Sequence, residues 1–237
     1  MIYTARVDNF YLTPEALAAS PSRADGIDEA TEQELRHYCC DVVAEAAVLL
    51  RLPQVVAVTA QVLVQRFYCK RSLKKFDVTH VAMAAFWLAC KLEEVIEIDN
   101  PQRLSLRAVI QVVDRIVRRR DGRSLAIMDP YSQRYEEMKQ QAVKAERHML
   151  RAFGFVLHVD HPHRFVLNYC QMMECGKELR QEAWNMANDS LRSTLCVRYR
   201  SEVVACGILF TAARKLKARA GGGAAPVGRV AWGPMEG

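Results

Sequence analysis

Two charged side chains, Glu146 and Lys91, have sequence neighbours that are hard to reconcile with a solvated surface. On a helix, the residues three and four positions from Glu146 are Ala142, Val143, Met149 and Leu150, all apolar. A surface glutamate ordinarily has a polar or charged helical neighbour. Such a carboxylate is either buried with a partner or turned toward another protein. Lys91 interrupts an otherwise uncharged run from Val78 to Leu92 and lies on the stripe of Ala84 and Leu88. Glu93 and Glu94 follow, where the dipole at a helix C-terminus disfavours acids. A charge on a core stripe and acids at the wrong helix end break local rules, and such breaks tend to mark function. The simpler account of Lys91 is a cation that complements the dipole and pairs with Glu94.

Other chemistries fit the sequence poorly. His158, His161 and His163 straddle Pro162, so they cannot share a helix face as metal ligands. Gly221, Gly222 and Gly223 are followed by no Gly-Lys-Ser/Thr and preceded by no strand, so they form no phosphate loop. Arg118, Arg119, Arg120 and Arg123 read as a solvated helix end that RNA or a phosphorylated tail could also touch. No Ser/His/Asp or Cys/His set has the spacing of an activated nucleophile. The expectation is a protein without catalysis of its own, without cofactor and without metal.

Composition narrows the class. A chain of 237 residues suits one large or two small domains. A net charge of +6 spread along it biases the chain mildly toward acidic partners, well short of a nucleic-acid footprint. Eight cysteines without a C-x-x-C, several within apolar helical runs, read as reduced core residues of a cytosolic or nuclear protein. Residues 1–13 carry Arg6 and Asp8 and lack the apolar stretch of a signal peptide. The longest uncharged stretch, Leu52 to Gln65, is too short for the roughly 20 residues that span a bilayer.

The elements that must position Lys91 and Glu146 are helices. Residues 1–30 hold Pro14, Pro21 and Gly26 and read as an extension, with Tyr3, Phe10 and Tyr11 docking it. Thr31-Glu32-Gln33-Glu34 has the form of a capping box and opens a first helix through Leu49. Pro53 starts a second, with Val56, Ala60, Leu63 and Phe67 in line. Asp77 caps a third whose small residues Ala82, Ala84, Ala85, Ala89 and Cys90 let neighbours approach closely. A helix apolar nearly all round is a buried central helix. A fourth runs from Ser105 to Arg119, and a fifth follows the cap-like Asp129-Pro130 and ends at Gly154. Three more are expected at residues 162–175, 178–195 and 202–217, and no strand is expected.

The run from Val81 to Lys91 recurs from Val204 to Arg214, an offset of about 123 residues, with small, large and cationic residues at matching places. A full copy of the first unit would extend to about residue 280, so the second unit has three of five helices. The stretch after Lys217 is low in complexity.

The segment LACKLEE resembles the central helix of the cyclin box. LPQVVAVTAQVLVQRFYCKRSLKKFDV is similar to the cyclin L subfamily, which is tied to transcription and splicing, and MIYTARVDNFYLTPEAL to its plant-type members. The resemblance implies an all-α fold: an extension (1–30), a five-helix first cyclin box (31–159), a partial second box (160–218) and a tail (219–237). It implies a non-catalytic regulatory subunit of a cyclin-dependent protein kinase, nuclear, acting in RNA polymerase II transcription and pre-mRNA splicing. Splicing or transcription factors would be further partners, with no direct DNA binding and no membrane. In cyclins the lysine of the central helix and the glutamate of the fifth helix contact the kinase beside its C helix. Lys91 and Glu146 stand at those two places, and Glu94 joins them in the expected kinase-binding set. The alternatives are a IIB-like cyclin-fold factor that binds DNA, which would carry a zinc ribbon and a basic stripe, and a shortened, non-activating cyclin.

Overall fold

A computed structural model of the chain describes residues 10–95 and 104–219. All regular elements among them are helices: α1 (Pro14–Ala18), α2 (Pro21–Ala24), α3 (Glu29–Leu49), α4 (Gln54–Lys70), α5 (Val78–Leu92), α6 (Leu106–Arg120), α7 (Gln133–Phe153), α8 (Pro162–Met172), α9 (Lys177–Ser190), a 3-10 turn (Thr194–Val197) and α10 (Ser201–Arg219). The glycine run and the low-complexity stretch lie beyond the described residues, as does Tyr3.

Capping chemistry sets the helix limits, and in two places it overrides the sequence expectation. The carboxylate of Asp28 accepts the Thr31 N–H at 3.0 Å and the Thr31 hydroxyl at 2.6 Å. Thr31 therefore lies inside α3, and Asp28, whose charge also suits the helix dipole, is the cap. Asp129 likewise does not open α7. It accepts the Tyr131 N–H at 3.0 Å in a turn, and Ser132 caps the helix by accepting the Tyr135 N–H at 3.3 Å. Asp77 caps α5 as expected, accepting from Thr79 and His80. Gly154 takes the left-handed conformation that ends α7, with φ of +58°.

The contacts divide into two compact units, residues 1–159 with 191–198, and residues 160–190 with 199–237. In the first, α5 touches α3, α4, α6 and α7. Ala82, Ala84, Ala85, Ala89 and Cys90 are all buried, so the small side chains do bring four helices onto one axis. Phe10 docks as expected: it is buried, edge-on to Phe153 and under the Arg66 guanidinium. A polar network the sequence did not announce lies beneath the N-terminal helices. Glu32 accepts from Arg36 (2.8 Å), Ser20 (2.8 Å) and Arg23 (3.3 Å). Arg36 also donates to the Gln65 carbonyl and side chain, and Gln65 to the Arg192 carbonyl. The helix expected to reach Leu195 ends at Ser190, and Leu191 packs with Val58 and Val62 of α4 in the first unit.

In the second unit α8, α9 and α10 touch one another. The internal repeat makes α10 the counterpart of α5, yet the two bury different fractions of their surface. Met83 and Ala84 are buried in α5, while their counterparts Cys206 and Gly207 are exposed in α10, as are Val203 and Phe210. In the first unit α6 and α7 pack on α5; no third and fourth neighbours pack on α10 within the second unit among the described residues. Fewer buried contacts mean a lower local opening free energy. Hydrogen exchange should therefore show α4 and α5 protected well beyond α8 and α10; equal protection in a dilute monomer would mean that the short unit closes its own core.

His163 adds a pH sensitivity to that unit. Its ring is buried, edge-on to Trp184 at 4.8 Å, with Nε2 2.7 Å from Asn188 Oδ1. Burial pushes its pKa below the ordinary imidazole value, against the pull of Asn188. The unfolded chain thus binds the proton more readily than the folded one. Stability from this group is full above an unfolded pKa of about 6.5 and is lost as pH falls through it toward the folded value. Exchange protection in α8 and α9 should drop between about pH 7 and 5.5, and His163→Gln should flatten that drop. An unchanged slope in the variant would exclude His163 as its source.

Candidate functional site

Lys91 and Glu146, 55 positions apart, meet at 2.5 Å through Nζ and Oε1. The meeting follows from helix packing: α5 and α7 lie against each other. Lys91 stands in the last turn of α5, and Glu146 sits among the buried positions Ala142, Ala145 and Met149 of α7. The two ends of the pair differ in exposure. The Glu146 side chain keeps 11% of its accessible surface and Lys91 keeps 41%. The carboxylate is therefore held inside the bundle face, while the ammonium rises from it with donors to spare. Trp87, one turn before Lys91, lies under the ammonium at 5.3 Å and adds cation–π attraction.

Of the two accounts open for Glu146, burial with a partner is the one realised within the chain. For Lys91, pairing with Glu94 is not. Glu94 turns away in the left-handed region, with φ of +51°, and its exposed carboxylate makes no ion pair or hydrogen bond among the described residues. A non-glycine residue held there stores strain, which is common where backbone geometry serves a function. Glu93 is tied down instead: it accepts the Thr59 hydroxyl at 2.6 Å, which fixes the end of α5 to the start of α4. The site is thus a fixed carboxylate, a half-exposed ammonium on an indole and a free carboxylate at the helix end. It can pair with backbone or side-chain groups of a partner.

One contributor escaped the sequence reading. Trp87 has a signal in its spacing from Lys91. Leu150, already singled out as a helical neighbour of Glu146, is half-buried.

The remaining candidates separate cleanly. No group of three potential ligands that could hold a metal occurs among the described residues. The arginine cluster is paired from within: Arg118 pairs with Asp114 at 2.8 Å, Arg119 and Arg120 share Glu45, and Arg123 pairs with Asp121 at 3.0 Å. The cysteines are all free, and burial pushes the Cys40 and Cys196 thiols up to about 12, which makes them unreactive. Among the described residues no helix is long and apolar enough to cross a membrane.

The Cyclin, N-terminal domain family matches residues 7–158, and the Cyclin-T2-like, C-terminal domain family matches residues 161–218. Over 217 residues the chain is 56% identical to Cyclin-L1-1 of Arabidopsis thaliana, covering 92% of this chain and 50% of that protein. It is 40% identical to Cyclin-L2 of Homo sapiens, covering 89% and 39%. The chain thus spans half or less of the length of these curated relatives. Its fold resembles a chain of the yeast RNA Pol II CTD kinase CTDK-1 complex, with a TM-score of 0.73 at 16% identity over 92% of this chain and 65% of that one. A second resemblance is to a chain of the yeast TFIIK (Kin28/Ccl1/Tfb3) complex, with a TM-score of 0.65 at 16% identity over 92% and 90%.

Proposed function

Because this chain belongs to the cyclin family, we propose that it is the non-catalytic regulatory subunit of a cyclin-dependent protein kinase and that its first bundle meets the kinase. The observation that carries this reading is the Lys91–Glu146 pair, which joins α5 and α7 within the stretch matched to the cyclin domain. Lys91, Glu146 and Glu94 are the kinase-binding set. A preformed pair costs little ordering entropy on binding, and the indole of Trp87 keeps the ammonium in place. Leu150, one turn from Glu146 on α7, supplies apolar surface near the charges, the mixture expected of an interface core with a polar rim.

The chemistry asked of this chain is binding energy alone. Contact with α5 and α7 stabilises the inward position of the kinase C helix, whose glutamate then pairs with the lysine that positions the ATP phosphates. The cyclin shifts a population and contributes no group to phosphoryl transfer. Residues 31–159 act as the first cyclin box and 160–218 as a partial second one, between an extension (1–30) and a tail (219–237). The similarity to cyclin L supports a nuclear role in transcription by RNA polymerase II and in pre-mRNA splicing. The test is to titrate purified cyclin-dependent kinase subunits with the chain and follow both binding and phosphorylation of a substrate peptide. Activation of one of them is the expected result; failure to bind any would discard the reading.

A further inference from the structure

Among the described residues two groups of cations contrast: one is paired from within and the other is not. The arginines at the end of α6 all have carboxylate partners. Those on the solvent face of α7 do not. Lys144, Arg147 and Arg151 are exposed and follow one another by three and four residues, so they form one row. None of the three makes an ion pair or a hydrogen bond among the described residues. Arg71, which lies near His148 as they do, donates only to the neighbouring Lys70 carbonyl, at 3.4 Å. The acids nearby are already engaged. Glu136 pairs with Lys139, Asp77 caps α5 and lies against His80, and Glu146 holds Lys91. Like charges at helical spacing repel, so this row works against the helix that carries it. The dipole at the C-terminus of α7 offsets this for Arg151, in its last turn; for Lys144 and Arg147 a local conflict of that kind points to an external partner.

The long side chains of the row border two shallow, open depressions. A groove of about 320 Å³ is lined by Lys139, Gln140, Val143, Lys144 and Arg147. A second, of about 160 Å³, lies on the other side of Lys144 and runs past His148, Phe76 and Lys75. His148 marks where the cations draw together: burial first, then Arg151, Lys144 and Arg71, holds its imidazole below the ordinary range.

We infer that the solvent face of α7, centred on Lys144, Arg147 and Arg151 with Arg71 beside them, docks an extended segment of a partner protein rich in aspartate and glutamate. Charge complementarity selects the occupant, and its geometry follows from the row. The three cations span about 10 Å along the helix axis at 1.5 Å per residue. Alternate side chains of an extended strand repeat at about 6.6 Å, against steps of about 4.5 and 6 Å between the cations, and the long lysine and arginine stems take up the difference. Val143, half-buried in the groove floor, takes the aliphatic part of an intervening side chain. Nucleic acid fits less well. The first groove is lined by no aromatic side chain, Phe76 beside the second is partly buried edge-on against Phe67 and His148, and a specific nucleic-acid site of ordinary size needs a broader basic footprint.

The proposal does not rest on the kinase reading, and its test uses no kinase. A fluorescein-labelled peptide of about twelve residues, alternating glutamate and serine, is titrated with the full chain at low and physiological salt and followed by anisotropy. Replacing Lys144, Arg147 and Arg151 together by glutamine keeps similar aliphatic stems and removes three charges. Affinity should fall about tenfold or more, with a shallower dependence on salt. A charge-matched control, Arg107→Gln with Arg119→Gln and Arg123→Gln, should lose less than about twofold, with circular dichroism confirming the fold of both variants. The inference is overturned if the wild-type chain fails to bind the peptide, or if both triple variants lose affinity equally, which would make the effect one of net charge. It is overturned too if single-stranded RNA of equal charge displaces the peptide and depends on the same three residues, for then the face serves nucleic acid.

Discussion

Replacing Arg36 by alanine should lower the stability of the first bundle by about 3–5 kcal/mol, the cost of stranding one partner of a buried ion pair. The side chains of Arg36 and Glu32 keep only 3% and 6% of their accessible surface. Without the guanidinium, Glu32 retains Ser20 and the longer contact to Arg23, and the Gln65 side chain loses one of its partners. The loss would spread because this network holds four pieces of chain together. Ser20 caps α2 and Arg23 lies within it, Glu32 and Arg36 belong to α3, and Gln65 of α4 reaches the Arg192 carbonyl. Urea unfolding would measure it as a lower midpoint at constant slope. Exchanging both partners at once, Glu32→Gln with Arg36→Met, should recover part of the loss, because no charge is then left buried alone. A loss below about 1 kcal/mol in the single variant would mean that water reaches Glu32 and that the network is decorative.

Lys91→Ala and Glu146→Ala should each weaken binding to the kinase by about 2–5 kcal/mol, a fall of thirtyfold or more in affinity. The two variants act on one object. Removing Lys91 leaves the Glu146 carboxylate buried without its partner at 2.5 Å; removing Glu146 frees Lys91 to swing out over Trp87 and into solvent. Their effects should therefore sum to more than the double variant shows, since either truncation dismantles the pair. Thermal melting should change far less than binding, because Lys91 is half-exposed and the α5–α7 contact rests on Ala85, Ala89, Ala142 and Met149 as well. Calorimetric titration of folded variants against the activated kinase decides the matter. Wild-type affinity in both would remove Lys91 and Glu146 from the interface; equal loss of folding and binding would make the pair a structural brace.

Much of this was legible in the sequence because the signals were local or periodic. The bounds of α5 follow from Asp77, whose carboxylate finds the next N–H groups in any context, and from an uncharged run that only a core can shelter. Glu146 stood out through its four apolar neighbours, since helical spacing alone decides which residues surround it. The repeat between α5 and α10 needed only comparison of residue sizes. The capping box at Thr31 misled because two residues competed for the same N–H groups, and the sequence does not rank Asp28 above Thr31.

What tertiary structure decided is which charges meet. The sequence by itself determined that the chain is helical, that one helix is central and that Lys91 and Glu146 are out of place on its terms. It did not determine that they pair, because 55 intervening residues and the crossing of α5 and α7 set that distance. Nor did it distinguish the arginines of α6, which looked like the chain's exposed basic surface, from the quieter row on α7. Asp114 lies within reach on the same helix, but Glu45 comes from α3, so the α6 cluster is paired largely by packing. Lys144, Arg147 and Arg151 have no such partner, because the one acid that lines the groove beside Lys144, Asp77, is held by the N–H groups that open α5. Backbone propensity and hydrophobic period act over a few residues and are written into the chain. Electrostatic partnership acts through space, at distances that exist only once the helices have packed.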